Sequence, residues 1–198
     1  MPRVSRNLIV TADPSDNHAL QRIALPAISD AVDICYNRRT IEGKEPGLIH
    51  GVEIKQLKTH ADERGSLTEL IRRDDEFFEG FGQCYVSVSY PGVIRGWHYH
   101  KKQTDYFTCI QGMIKVPLYD IREDSPTHGE LNEFYIGEDN RIVVKIPVGV
   151  LHGFKNVGVT PCYLINFPTM PYDPNDPDEY RIPHDSPDIP YDWDLKFH

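Results

Sequence analysis

From Gly51 onward the chain is a series of short apolar runs divided by turn-forming residues, and this pattern excludes most fold classes. The runs are rich in Val, Ile, Tyr and Phe, and Gly, Pro, Asn and Asp separate them at intervals of about 8 to 12 residues. Alternation over 83–90 predicts a strand with two different faces. Further strands are predicted at 106–110, 113–119, 141–146 and 162–167, the first two joined by a turn at Gln111-Gly112. The pattern predicts an all-β jelly roll or barrel.

The two ends of the chain differ from this β-rich region. In 18–39 apolar residues recur at spacings of three and four, which predicts a helix within an N-terminal extension covering 1–50. The β domain then covers 51–198. Its tail from Pro168 holds seven of the 16 prolines, so it is not a central strand. The aromatic residues of this Pro-rich tail predict that it is pinned onto the barrel.

Charge and cysteine usage restrict the partners and the location of the protein. Lys and Arg number 21 against 30 Asp and Glu, and the net charge of −9 argues against a nucleic-acid partner. No segment approaches the roughly 20 apolar residues of a bilayer span, so no membrane partner is expected. The four cysteines have no C-x-x-C spacing, and no secretory segment is evident. We expect a cytoplasmic protein with reduced thiols.

Three histidines and a carboxylate form the candidate chemical site. His98 and His100 are two residues apart, so on a strand both rings point to the same side. Asp105 begins the next apolar run, and His152 follows a Pro/Gly turn. This set suits a divalent Fe, Mn, Ni or Zn ion. The spacing resembles the two cupin motifs, which implies that all four residues are metal ligands.

A longer series of segments resembles the dTDP-4-dehydrorhamnose 3,5-epimerase family, itself a cupin-type jelly roll. The matching segments occur in the family's order, at 51–54, 62–65, 92–99, 120–127, 146–154 and 185–193. The resemblance implies an isomerase that abstracts the proton next to the keto group of a nucleotide-linked deoxysugar. It also implies a homodimer and no required cofactor.

The resemblance assigns roles to individual residues. His98 matches the catalytic base, His152 the second pocket histidine, and Tyr172 a pocket tyrosine. A neutral histidine suits proton abstraction because its pKa lies near working pH. The positions that match substrate- and nucleotide-binding residues are Arg64, Glu69, Gln83 and Arg95.

Three departures separate this chain from the family pattern. Asn166 stands where the acid tyrosine is expected, and Asp105 stands at the position of a lysine that stabilises the enolate. The aspartate that orients the base would lie beyond Trp193, and Asp185 matches a different position. Of the candidates for the missing acid, which are Tyr99, Tyr106 and Tyr172, only the last matches a pocket tyrosine.

These departures leave three interpretations of the function. The first is a sugar-nucleotide epimerase or isomerase, with a metal centre in place of the lysine and tyrosine. The second is an unrelated metal-dependent cupin isomerase, dioxygenase or decarboxylase using the three histidines and Asp105. The third is a sugar-binding cupin without catalysis. The ordered matches outside the histidines favour the first, because an unrelated cupin has no reason to carry them.

Overall fold

The computed structural model describes residues 36–38 and 47–196, and within these ranges every regular element is a β-strand. The all-β fold predicted from the sequence is confirmed. The strands are β1 (Tyr36–Arg38), β2 (Glu53–Gln56), β3 (Thr59–Asp62), β4 (Gly65–Thr68), β5 (Tyr85–Ser89), β6 (Ile94–Tyr99), β7 (Asp105–Gln111), β8 (Met113–Asp120), β9 (Leu131–Gly137), β10 (Ile142–Ile146), β11 (Val150–Asn156), β12 (Cys162–Asn166) and β13 (Tyr180–Arg181).

The strands form two facing antiparallel sheets and one separate hairpin. The first sheet has the order β1-β9-β8-β11-β6-β13, and the second has the order β2-β10-β7-β12-β5. Strands β3 and β4 make a two-stranded hairpin of their own. The predicted turn at Gln111-Gly112 joins β7 to β8, and the positive φ of Gly112, 77°, explains the glycine there. Because neighbours in each sheet are mostly distant in sequence, residues far apart along the chain meet between the sheets.

The apolar core lies between the two sheets. Alternate residues of β8, Ile114, Val116 and Leu118, are fully buried against side chains of the facing sheet such as Phe107 and Val144. Burying one such side chain contributes about 1.5–3 kcal/mol. This core therefore fixes the sheets rigidly around the polar cluster described below.

The Pro-rich tail packs on the outer face of the first sheet. Trp193 is 5% exposed and lies 4.9 Å from Trp97 of β6, measured between ring centroids. The Trp193 indole N–H donates to the His184 carbonyl at 3.1 Å. Within the tail, β13 adds to the sheet only as an edge strand beside β6. The prediction that aromatic residues pin the tail to the barrel is confirmed.

The predicted N-terminal helix is wrong at its end. Residues 36–38 form β1, which pairs antiparallel with β9 from Tyr36↔Phe134 to Arg38↔Asn132. The open edge of β9 offers backbone hydrogen-bond partners, and this tertiary pairing prevails over local helical spacing. The rest of the predicted segment, 18–35 and 39, lies outside the described residues. No helix among the described residues is long and apolar enough to cross a membrane.

Candidate active site

Four side chains predicted from the sequence meet between the sheets. His98 of β6 and His152 of β11 are direct cross-strand partners, and their ring centroids lie 4.2 Å apart. His100 follows β6, while Asp105 begins β7 on the facing sheet. One nitrogen or oxygen atom from each of these residues lies within 4.8 Å of the others. The two sheets therefore bring together the three imidazoles and the carboxylate.

Backbone carbonyls fix the tautomers of two of these imidazoles. The Nδ1–H of His152 donates to the Val150 carbonyl at 2.9 Å, and the Nδ1–H of His100 donates to the Asp178 carbonyl. In the neutral rings, the Nε2 lone pairs are therefore free for another partner. The Nε2 atoms of His100 and His152 lie 3.2 and 3.3 Å from Asp105 Oδ2. Two lone pairs thus converge on a carboxylate oxygen.

This convergence leaves buried polar atoms without hydrogen bonds. Asp105 is 1% exposed, and its Oδ1 accepts from Gln103 Nε2 at 2.9 Å. Among the described residues, Asp105 Oδ2 and His152 Nε2 have no hydrogen-bond partner. Buried polar atoms are normally partnered, and three imidazoles with a carboxylate are suitable ligands for a divalent cation. The donor set therefore fits a metal ion or a shared proton.

The same surroundings shift the pKa values in the cluster. Burial, followed by repulsion from His152 and His100, holds the pKa of His98 well below its usual range. Burial of Asp105 acts to raise its pKa, but the His100 and His152 imidazoles beside its Oδ2 prevail and lower the pKa. His98 is therefore neutral at pH 7, and only a neutral imidazole can take up a proton as a base.

The tail forms one wall of the site through Asp178. Its carboxylate accepts from the backbone N–H groups of Lys101, Lys102 and Gln103 at 2.9, 2.7 and 3.0 Å. Its carbonyl orients the His100 ring, as described above. Sequence reasoning missed this residue, because an aspartate in a Pro- and Asp-rich segment carries no signal that it folds back on a loop more than 70 residues earlier.

Two cavities open onto the cluster and share Tyr85, His98 and Glu179. One, of about 430 Å³, also contains Gln83 and Tyr172 in its lining. The other, of about 810 Å³, contains Arg95 in its lining. The structure thus brings three further predicted site residues to His98. The volumes of both cavities lie in the range of small-molecule binding sites.

Arg64 and Glu69 lie elsewhere in the described chain. Arg64 is in the turn of the β3–β4 hairpin, where its guanidinium donates to Asp62. Glu69 follows β4 and accepts from Arg72 at 3.2 Å. Neither is among the residues that line the two cavities. Their role in nucleotide binding stays a prediction.

The 120–127 segment forms a polar clasp beside the strand that carries His152. Asp120 is fully buried at the end of β8 and pairs with Val150 of β11. Its two oxygens accept five hydrogen bonds, from the backbone N–H, Nε and Nη2 of Arg122 and from the hydroxyls of Ser125 and Thr127. The segment therefore holds the start of β11 in position.

The sequence and fold of known proteins identify the family. The dTDP-4-dehydrorhamnose 3,5-epimerase family model matches residues 47–198. The chain belongs to this family. The family assignment predicted from the ordered segments is therefore confirmed, and the match begins close to the predicted start of the β domain.

Relatives of this epimerase family cover most of the described domain. "Probable low-salt glycan biosynthesis epimerase Agl13" of Haloferax volcanii is 51% identical over 152 residues, 76% of this chain and 97% of that protein. "Spore coat polysaccharide biosynthesis protein SpsL" of Bacillus subtilis is 48% identical over 150 residues, 76% of this chain and 99% of that protein. The crystal structure of a dTDP sugar isomerase from Desulfovibrio desulfuricans G20 has a TM-score of 0.69 and 34% identity, covering 73% of this chain and 92% of that one.

Proposed function

We propose that this chain inverts a carbon next to the keto group of a dTDP-linked 4-keto-6-deoxysugar, at C3, C5 or both. The observation that carries the proposal is the position of His98. It lies where the two cavities meet, on the inner face of the barrel, with surroundings that keep its imidazole neutral. Membership of the epimerase family and the dTDP sugar isomerase neighbour support this substrate class.

In the proposed reaction His98 takes the proton from the carbon next to the ketone. The electron pair of the broken C–H bond forms an enolate whose charge lies on the former ketone oxygen. Return of a proton to the opposite face of the carbon completes the inversion. Arg95 suits the diphosphate, because its planar guanidinium donates charge-assisted hydrogen bonds to phosphate oxygens. Gln83 supplies a further polar contact to the sugar, and Tyr172 borders the same cavity. His152, predicted as the second pocket histidine, is 1% exposed and lines neither cavity.

The test is to follow dTDP-4-keto-6-deoxy-D-glucose by proton NMR during incubation with the protein in D₂O. We expect the signals of the hydrogens at C3, C5 or both to disappear while a second set of sugar signals, that of the inverted product, appears. The incubation without protein measures spontaneous exchange. Unchanged configuration, with the substrate demonstrably bound, would leave the chain a sugar-binding cupin and contradict the proposal.

We also propose that His100, Asp105 and His152 bind a divalent cation, while His98, the fourth ligand predicted from the sequence, stays unligated as the base. The support is the pair of unpartnered buried atoms and the two histidine tautomers that direct lone pairs toward Asp105. A bound ion would supply a Lewis acid beside the substrate ketone. The family requires no cofactor, so this centre would be a feature of this chain's own residues. Ligation by His98 as well would exclude its role as base, since a ligand nitrogen has no free lone pair for a proton.

Metal content tests this proposed centre. In untagged protein purified without chelator, we expect about one divalent ion per chain by elemental mass spectrometry, because three protein donors with open positions match a catalytic metal site. His100→Ala should lose most of the ion, whereas His128→Ala, which removes an exposed imidazole outside the cluster, should keep it. Protein that stays metal-free after supplementation with Fe, Mn, Ni and Zn would contradict the metal proposal.

A homodimer is the partner arrangement that we propose for this domain. Strand β5 is an outer strand of the second sheet, and its outward side chains Val86 and Val88 are 54% and 41% exposed. A strand normally turns its apolar side chains inward and its polar ones outward. In β5 the polar Ser87 faces the cavity and the two valines face outward. An apolar strand at a sheet edge is normally covered. A cytoplasmic location stays a prediction.

A further inference from the structure

The residue that returns the proton is the part of the reaction that family resemblance leaves open. Asn166 occupies the place of the expected acid tyrosine, and its side chain is fully buried. Its Oδ1 accepts from the Tyr106 backbone N–H at 3.1 Å, which fixes the orientation of the amide. The Nδ2 atom consequently points the other way and donates to the Tyr85 hydroxyl at 3.0 Å. A phenol therefore stands beside the position where the resemblance expects one.

Tyr85 reaches this place from the neighbouring strand. It lies on β5 directly opposite Asn166 of β12, and direct cross-strand partners project to the same face of a sheet. Its side chain borders both cavities that contain His98. Although 43% of Tyr85 is exposed, its hydroxyl is held by a buried amide at the inner end of the ring. The hydroxyl is therefore positioned inside the sugar pocket.

The hydrogen bond to Asn166 leaves the Tyr85 proton available. A phenol oxygen that accepts from an amide N–H must direct its own O–H to a different acceptor. No protein acceptor for that O–H is present among the described residues. The O–H is thus free to donate to a molecule in the cavity, on the side of the second sheet, whereas His98 belongs to the first sheet.

We propose that Tyr85 is the general acid that protonates the enolate carbon on the face opposite His98. The inference rests on the proposed epimerisation. In this step the Tyr85 O–H bond breaks, its proton forms the new C–H bond with the enolate electron pair, and the ketone is restored. The resulting phenolate regains a proton from water, and the protonated His98 releases one to water. No other reactant is needed.

The surroundings of the Tyr85 hydroxyl keep it protonated, as a general acid must be before it reacts. Burial raises the pKa of Tyr85 to about 12, with the negative charges of Asp105 and Glu179 acting in the same direction and the Asn166 hydrogen bond opposing them. Tyr85 is therefore protonated at neutral pH. It can donate a proton in every turnover without a preceding protonation step.

The three tyrosines considered from the sequence are placed less well than Tyr85 to donate a proton to the sugar. The Tyr106 hydroxyl donates to the Phe77 carbonyl at 3.1 Å and accepts from the Glu79 backbone N–H at 2.8 Å, so both of its functions are occupied. Tyr99 stacks on Tyr180 with the rings 5.1 Å apart, on the face away from His98. Tyr172 borders one cavity but is 61% exposed. Tyr172 therefore remains the competing candidate.

The test compares exchange with inversion in Tyr85→Phe, using dTDP-4-keto-6-deoxy-D-glucose in D₂O. We expect the variant to form inverted product at least about 10²-fold more slowly, the usual contribution of a general acid. Exchange of the substrate's own C–H for deuterium should persist, because His98 still removes the proton and returns a deuteron to the same face. Tyr90→Phe, at the exposed tyrosine that follows β5 and lines neither cavity, is the matched control and should behave as wild type in both measurements.

Several outcomes would overturn the inference. Inversion by Tyr85→Phe at the wild-type rate would exclude Tyr85 as the acid. Equal loss of exchange and inversion would assign Tyr85 to substrate binding or folding, and the melting temperature separates these two. The same split between exchange and inversion in Tyr172→Phe, with none in Tyr85→Phe, would assign the acid to Tyr172. Absence of both reactions in the wild-type protein would remove the proposed epimerisation itself and this inference with it.

Discussion

Replacing His98 with asparagine lowers the rate of epimerisation by about 10²–10⁴-fold, the usual contribution of a general base. Asparagine keeps a polar side chain of similar size but cannot take a proton from carbon. His98 is the imidazole that borders both cavities, and burial together with the neighbouring histidines lowers its pKa. No other neutral base among the described residues holds this position, so little rescue is expected.

The measurement for His98→Asn is kcat for the dTDP-linked ketosugar, with binding of dTDP followed separately by calorimetry. We expect dTDP affinity to stay close to the wild-type value, because His98 acts on the sugar and dTDP alone carries no sugar. His128→Asn, which changes an exposed histidine outside the cavities, controls for a general effect of the substitution. More than a tenth of the wild-type kcat in His98→Asn would contradict its role as base.

Replacing Asp120 with asparagine destabilises the fold by about 3 kcal/mol, because it leaves the Arg122 guanidinium without its buried counter-charge. The carboxylate is fully buried and accepts five hydrogen bonds from Arg122, Ser125 and Thr127. An amide has one acceptor oxygen and would place its N–H₂ group against these donors. The expected fall in melting temperature is roughly 10 °C for a domain of this size.

The effect of Asp120→Asn depends on pH in a defined direction. Burial acts to raise the Asp120 pKa, but the hydrogen bonds from Arg122, Ser125 and Thr127 prevail and lower it well below its usual range. A lowered pKa in the folded state stabilises the protein above the unfolded-state pKa of about 4, and this stabilisation is lost as pH falls below it. The gap in melting temperature between wild type and variant should therefore be full at pH 7 and shrink below pH 4.

Circular dichroism melts at pH 7 and at several values below pH 4 measure this gap. Asp124→Asn is the matched control, since Asp124 is an exposed aspartate of the same segment. It should melt within a degree or two of wild type, as surface substitutions usually do. Equal melting temperatures for Asp120→Asn and wild type at pH 7 would show that the clasp does not stabilise the domain.

Much of the barrel was predictable because strand alternation is a local signal. The predicted run 83–90 contains β5, and the run 113–119 lies within β8, while the Gly112 turn connects the strands as expected. The pairing of His98 with His152 was not predictable in register. Their shared chemistry could nonetheless be inferred, since an H-x-H pair places both rings on one face of a strand.

The features that sequence reasoning missed depend on contacts between distant segments. Tyr85 looked like an ordinary member of an alternating strand, and its importance depends on the register that places it opposite Asn166. Asp178 orients His100 through its carbonyl and accepts from the backbone of 101–103 through its carboxylate, and neither of these distant contacts has a local signal in the sequence. The helical spacing within 18–39 was misleading at 36–38 for a related reason, because the pairing with β9, almost a hundred residues later, determines the conformation there.

If this chain removes and replaces a proton on a sugar carbon, solvent deuterium enters the dTDP-sugar during reaction in D₂O, and mass spectrometry detects it. We expect a product heavier by one deuterium for inversion at C3 or C5 alone, or by two for inversion at both. This gain should be absent with His98→Asn. Tight binding of the dTDP-sugar by wild-type protein without any gain in mass would contradict the account and leave a binding module in its place.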